Sequence, residues 1–293
     1  MKKIFPILSL LVGASYMSFG ATSISGEYSG STFAISEDSI IESGNTLSIK
    51  TNSSTNTITV AKNATLIVSD GAKLVASGKG VYVTGTLEIQ KGADVKISKQ
   101  IVAWGSSQII LNDVVTGTTG DPTTLLFAGG NAKATFGVSQ TFKDWDVRFN
   151  NYTFTFAEGV DIAFNSVSFG AVEVNTETLV STKKITLANF DDSNSIFIGV
   201  GDTLTYATPY AYEVIDDNTL SISGKCSGLD YGTALYAFNT DDGQDLKISE
   251  VYDNGALTGF MLTTASAVVP EPAEWAMIFG GIALAVAVYR RRK

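Results

Sequence analysis

The stretch TLIVSDGAKLVAS, residues 65–77, is followed at a shift of 21 residues by TLEIQKGADVKIS, residues 86–98, and the two keep Thr, Leu, Gly, Ala and Ser in the same places. NTLSI, from Asn45, precedes NATLIV, from Asn63, by a similar step. Between Asn45 and Val115 short β-branched runs alternate with Gly, Asn, Ser and Asp, which is the pattern of strands punctuated by turns. Strands are expected to begin near Thr57, Thr65, Lys73, Val81, Thr86, Asp94, Gln100 and Gln108. A period near 20 residues, holding two or three strands of about four residues, fits one turn of a parallel β-helix whose turns stack about 4.8 Å apart. Inward Leu, Ile and Val then form continuous columns, and no single turn can bury its own apolar face. The expected fold is therefore all-β, a right-handed parallel β-solenoid over residues 21–195. Beyond Val115 the repeat is degenerate, so a β-sandwich or an antiparallel domain stays open for residues 116–195.

From Ile196 the texture changes. Strand-like runs are joined by Asp216-Asp217-Asn218, Asp241-Asp242-Gly243 and Asp253-Asn254-Gly255, which is hairpin chemistry because Asn and Gly accept positive φ. An antiparallel cap over residues 196–262 is expected, since an open turn would leave an unpaired edge. Residues 263–269 read as a linker.

Composition narrows the chemistry. The 293 residues carry 29 carboxylates against 20 Lys and Arg, one cysteine and no histidine. An acidic chain of this kind is no partner for nucleic acid. A single thiol, Cys226, excludes an intramolecular disulfide. The lack of histidine removes Ser-His-Asp and Cys-His nucleophiles and most catalytic zinc sites. Neither a metal site nor a cofactor is expected, and no phosphate loop or EF-hand pattern occurs.

The two ends read as targeting segments. Residues 1–20 place Lys2 and Lys3 before an apolar run from Ile4 to Met17 and small residues at Ser18 and Gly20, the layout of a secretory signal peptide cleaved between Gly20 and Ala21. Export machinery and a signal peptidase are the partners this implies. At the other end, VPEPAEWAMIFGGIALAVAVYRRRK closes the chain. Residues 275–289 are uncharged, framed by Trp275 and Tyr289, and followed by Arg290, Arg291, Arg292 and Lys293. Interfacial aromatics and a cytoplasmic basic cluster orient such a transmembrane helix with its C-terminus inside. Its span is roughly 22 Å, short of the ~30 Å hydrocarbon core, so the anchor is marginal. Outside it, Pro270 and Pro272 hold Glu271 extended.

This order of Val269, Pro270, Glu271 and Pro272, then a short apolar helix, then a basic cluster resembles the PEP-CTERM sorting tail, here residues 270–293. The resemblance covers about a tenth of the chain. It implies a substrate of an exosortase-type sorting enzyme, passing through the inner membrane of a Gram-negative bacterium to the cell envelope or the extracellular matrix, where extracellular polysaccharide is a candidate partner. A structural or adhesive, non-enzymatic role is the first expectation. The alternative is a carbohydrate-active β-helix enzyme or binding module carrying the same tail.

Three internal features are candidate sites. FKDWDVRFN, residues 142–150, combines Trp145 with Asp144 and Arg148 as a candidate carbohydrate contact. Strand alternation argues for the plainer reading, placing Asp144, Asp146 and Arg148 on one face and Lys143, Trp145, Val147 and Phe149 on the core side. Paired aspartates recur every 25 residues at 191–192, 216–217 and 241–242, read first as solvated turns and second as calcium or glycosidase carboxylates. Tyr152, Phe154 and Phe156 alternate on one face, as one row of a β core.

Overall fold

The computed structural model describes residues 20–52, 54–147, 150–169, 184–199, 207–216, 219–226 and 234–264. Among these residues every regular element is a β-strand, and successive strands stack in parallel to form a β-solenoid. The strands fall into an 11-stranded, a 10-stranded and a 5-stranded sheet. Each of the first turns visits the three in order, as in Thr65–Val68, Lys73–Ser77 and Gly80–Val83. Strand starts at Ile58, Thr65, Lys73, Gly80, Thr86, Asp94, Gln100 and Gln108 agree with those read from the turn residues to within one position.

The 21-residue repeat is one turn of the solenoid. Thr65 stands beside Thr86 and Lys73 beside Asp94 in parallel ladders. Equal register stacks equal positions, so the inward residues form columns: Ile41, Val68, Ile89, Leu111, Phe136 and Phe156 in one sheet, and Ile58, Val81, Ile101, Leu125 and Trp145 in another. All of these are at most 3% exposed. The match of NTLSI to NATLIV is not structural. Thr46 pairs with Lys73, 27 residues on, while Leu66 in the second segment pairs with Ser39. The two segments occupy different sheets, and they look alike because Asn-containing turns feed Thr-Leu strands at both corners.

The described parts of residues 116–195, left open by the sequence, continue the solenoid with a changed cross-section. The last strand of the 5-stranded sheet is Val115–Thr116, whose Val115 N–H donates to Gln140 Oε1 at 3.3 Å. From there the third side merges with the 10-stranded sheet into long strands, Gln140–Val147 and Asp161–Phe169, paired in parallel. Gln140–Val147 bends: Phe142 and Trp145, three apart, are both fully buried, and Lys143 between them is exposed. Simple alternation had put Lys143 on the core side with Trp145; the bend turns it out. The core fills accordingly with aromatics, including Phe136, Phe142, Phe154 and Phe164 with centroids 5.4–6.1 Å apart in contacting pairs. Large rings span the altered section that aliphatic columns filled before.

Ser195–Gly199 is the switch strand. It runs parallel to Asp161–Phe169 on one side and antiparallel to Ala256–Thr264 on the other. Leu246–Asp253 completes that hairpin at the sheet edge. The 11-stranded sheet ends in an antiparallel meander, Ala207–Asp216, Thr219–Cys226 and Ala234–Thr240, the last of which still pairs in parallel with Lys184–Ala188. Pro209 lies in its outermost strand, where a missing N–H is tolerated. The final strand runs through Thr264, two residues into the span read as linker, with Thr263 and Thr264 buried. The signal segment up to residue 19 and everything from residue 265, including Pro270–Pro272 and the apolar stretch, lie outside the described residues.

Adjacent isoleucines test the register. Ile109 is fully buried in a column and Ile110 faces outward. Ile109→Ala should lower unfolding stability by about 2–5 kcal/mol in urea titrations and Ile110→Ala by less than about 1 kcal/mol; equal losses would contradict the assigned faces.

Candidate functional site on the outer face of the ten-stranded sheet

Trp145 does not reach the surface. Its ring is fully buried, stacked on Phe164 at 4.6 Å and 22°, with Phe154 at 5.3 Å and Phe238 at 6.1 Å. Asp144, next to it, faces out and accepts hydrogen bonds from Thr124 Oγ1 at 3.2 Å and from Ser166 Oγ. Ser166 is its register partner in the next strand and Thr124 precedes the Leu125–Trp145 pair, so Asp144 is one rung of an outward polar column. Arg148 lies outside the described residues. The FKDWDVRFN segment thus resolves into a core tryptophan below a hydroxyl-bound carboxylate, and Trp145 is withdrawn as a carbohydrate contact.

The exposed tryptophan of this sheet is Trp104, 46% accessible at the end of Gln100–Trp104. Alternation within that strand sends Ile101 and Ala103 inward and Gln100, Val102 and Trp104 outward. Period-two counting from Ile101 was therefore enough to find it, but the segment carries no charged neighbours to draw attention. Outward Val102 is flanked in the ladder by Tyr82 and Leu126 and is only 5% exposed. Partial burial pushes the Tyr82 phenol above its ordinary pKa. Trp104 is set at a register shift opposite Gly129. A Cβ on Gly129 would stand 3.4 Å from the far edge of the indole and 3.6 Å from Asn150 Nδ2, and Gly129 has φ +156°, so glycine leaves the ring a clear floor beside an amide. Tyr82, Val102, Leu126 and Trp104 form an apolar, aromatic strip. Chemically it offers a flat ring for stacking, a phenol and neighbouring amide and hydroxyl groups, with no nucleophile and base placed together.

The aspartate pairs 191–192 and 241–242 lie in described turns, whereas Asp217 lies outside the described residues. Asp191 Oδ1 accepts from the Ser193 N–H at 2.9 Å and from Ser193 Oγ at 2.6 Å, and Asp192 accepts from Thr264 Oγ1. Asp241 follows the strand stacked on Lys184–Ala188, and its N–H donates to Leu187 O at 3.1 Å, so 241–242 lies one turn beyond 191–192 at the same corner. Asp216 ends a hairpin strand elsewhere, so the 25-residue spacing is not a structural period. Among the described residues no three of His, Cys, Asp and Glu are grouped to hold a metal. The Gln244 side-chain amide, 2.6 Å from Asp242 Oδ2, holds the Asp242 carboxyl below its ordinary pKa. Tyr152, Phe154 and Phe156 are all buried, a core row, with the Tyr152 hydroxyl donating to Phe127 O at 3.2 Å. Cys226 closes Thr219–Cys226, its backbone opposite Ala207.

No family model, curated protein or solved structure matches the chain.

Two measurements follow from this geometry. Acrylamide should quench fluorescence strongly from Trp104 and weakly from Trp145, so Trp104→Phe removes an accessible component and Trp145→Phe a shielded, blue-shifted one; the reverse assignment would overturn the placement. Carboxyl NMR should find Asp242 titrating below an ordinary aspartate, and Gln244→Ala should raise its midpoint. Because the folded pKa is depressed, the associated stability is present above the unfolded pKa and is lost as pH falls through the folded one; full exposure of this turn keeps that contribution small.

Proposed function

We propose that the chain is an exported surface or matrix protein, structural or adhesive in role, whose β-solenoid is the passenger between two targeting segments. The observation that carries the reading is that every described strand lies between the two expected junctions. The first described strand begins at Thr22, just after the Gly20 and Ala21 junction, and the last described one, Ala256–Thr264, precedes Val269. Removal of residues 1–20 and cleavage near Val269–Pro272 would leave every described strand intact, as a processed passenger requires. In this reading Trp275, Tyr289 and the cluster Arg290, Arg291, Arg292 and Lys293 hold the chain briefly in the inner membrane while a sorting enzyme acts on the proline bracket. The solenoid is taken as right-handed, since right-twisted parallel strands favour that crossover. Its work is done by surface, an elongated framework whose stability needs neither disulfide nor metal.

One observation supports a carbohydrate-binding variant of the same role: the exposed Trp104 strip with its Asn150 and Tyr82 neighbours is of the kind that stacks on a sugar face. Binding without turnover is the form of it that the residues favour, given the lack of histidine.

Mass spectrometry of the protein recovered from its native envelope or medium tests the main reading. The expected mature chain starts at Ala21 and ends near Pro272. Recovery from the cytosol with both ends intact would contradict it. On a glycan array, Trp104→Ala should abolish any sugar binding that the wild type shows, whereas reducing ends released from a polysaccharide would replace adhesion with catalysis.

A further inference from the structure

We infer that the protein cuts its own chain between Asp121 and Pro122, and that the turn holding this bond speeds the cut. The inference rests on one corner of the solenoid and does not depend on how the chain is exported.

Five prolines occur in the sequence, and Asp121 is the only aspartate that precedes one. An aspartate carboxyl can reach the carbonyl carbon of its own residue by closing a succinic-type ring. The proline nitrogen carries no hydrogen in the chain and leaves as a basic secondary amine. The step balances within this pair. The Asp121 carboxylic acid adds one oxygen to its own peptide carbonyl carbon, its proton passes to the Pro122 nitrogen, and the C–N bond breaks. A cyclic anhydride is left on Asp121 and an amine on Pro122. Solvent water, the only co-reactant, then opens the anhydride to the two carboxyl groups of a C-terminal aspartate. The net change is hydrolysis of one peptide bond, with nothing oxidised or reduced.

The fold prepares both sides of the bond. After Val115–Thr116 ends the 5-stranded sheet, the chain turns through residues 117–121, and an antiparallel bridge sets Pro122 opposite Thr116. Gly120, at φ +89°, reverses the chain there. The reversal brings the Asp121 carbonyl oxygen onto the Gly117 N–H at 2.6 Å. That oxygen takes up negative charge when its carbon is attacked, and a fixed N–H already aimed at it stabilises the charge. Thr119 Oγ1 donates to Asp121 Oδ2 at 2.9 Å, which holds the carboxyl within the turn and makes Oδ1 the attacking oxygen. Asp121 is exposed, whereas Thr123, on the leaving side, is 1% exposed and donates through Oγ1 to Lys99 O at 3.1 Å. The acyl side is therefore open to water and the amine side is anchored. The charged residues on the adjoining turns at this corner are Lys99 before it and Lys143 and Asp144 after it. None of them takes part, since the proton moves within the Asp121–Pro122 pair. A cut here leaves the body assembled. Gln100–Trp104 pairs with Thr124–Gly129, and Gln108–Leu111 pairs with Lys133–Phe136, so ladder bonds join the two products across the break. Their separation requires unfolding.

Intact-mass spectrometry of the full chain tests this, with the protein kept in a mild non-ionic detergent and a mildly acidic buffer in which circular dichroism shows it folded. Under denaturing conditions two fragments should appear, one ending at Asp121 and the other beginning at Pro122, while size exclusion without denaturant still shows a single body. Their rate of appearance should be independent of protein concentration. It should also be about tenfold above that of the same chain in urea at equal pH, because the aimed N–H and the held carboxyl exist only in the folded turn. Asp121→Ala should stay whole. Thr119→Val should slow the folded cut toward the rate in urea and Thr119→Ser should keep it, which marks Thr119 as a positioning residue. A folded chain that stays whole overturns the proposal, and so does one cut no faster than in urea, where only the ordinary acid lability of the bond is left. Cutting that persists in Asp121→Ala, or a rate that rises with protein concentration, overturns it as well by assigning the break to another agent. A Thr119→Val chain cut at the wild-type rate overturns the part given to that hydroxyl.

Discussion

Everything in this molecule depends on parallel strands stacking in a register that places like positions on top of one another. Backbone hydrogen bonds between turns fix the spacing, and the alternation of the strand decides which side chain enters the core. Leu66 under Leu87 under Ile109, and Ile58 under Val81 under Ile101, are consequences of that register. A slip of one residue would turn each of these columns outward and bring Glu88 and Lys96 inside. The core is thus a property of the stack, and a turn on its own has none. Both flanks inherit the same order. The outward column that carries Asp144 with Thr124 and Ser166 and the Trp104 strip are both spaced by the strand repeat.

That constraint explains how the structure changes along its length. While three sheets enclose the core, aliphatic side chains and alanines fill it. Once the third side merges into bent strands, Phe136, Phe142, Trp145, Phe154 and Phe164 take over. The antiparallel hairpins then supply partners for edges that would otherwise stay open, with Ser195–Gly199 accepting parallel pairing on one side and antiparallel on the other.

Much of the fold was legible where the repeat is undisturbed. Residues 65–98 announce both the turn length and the strand starts, because Gly71 and Gly92 mark equivalent turns and the flanking residues alternate cleanly. Legibility failed where a local pattern has two structural meanings. NTLSI and NATLIV read alike although they belong to different sheets. Lys143 read as inward because alternation cannot reveal a bend, and the even spacing of the aspartate pairs hides that 191–192 and 241–242 sit at stacked corners while Asp216 ends an antiparallel strand. Of the candidate site, the buried role of Trp145 followed from alternation, whereas Trp104 passed unnoticed in a segment without charge.

Disulfide trapping measures the register most directly. In a Cys226→Ser background, Ile67→Cys with Glu88→Cys places two thiols on outward neighbours of adjacent turns, about 4.8 Å apart, within the span a disulfide bridges. Ile67→Cys with Ile110→Cys puts them two turns apart, at about 9.6 Å, beyond that span. Mild oxidation should close the first pair within one chain and leave the second reduced. Closure of the second pair with failure of the first would contradict the 21-residue stack on which the fold and its surfaces rest.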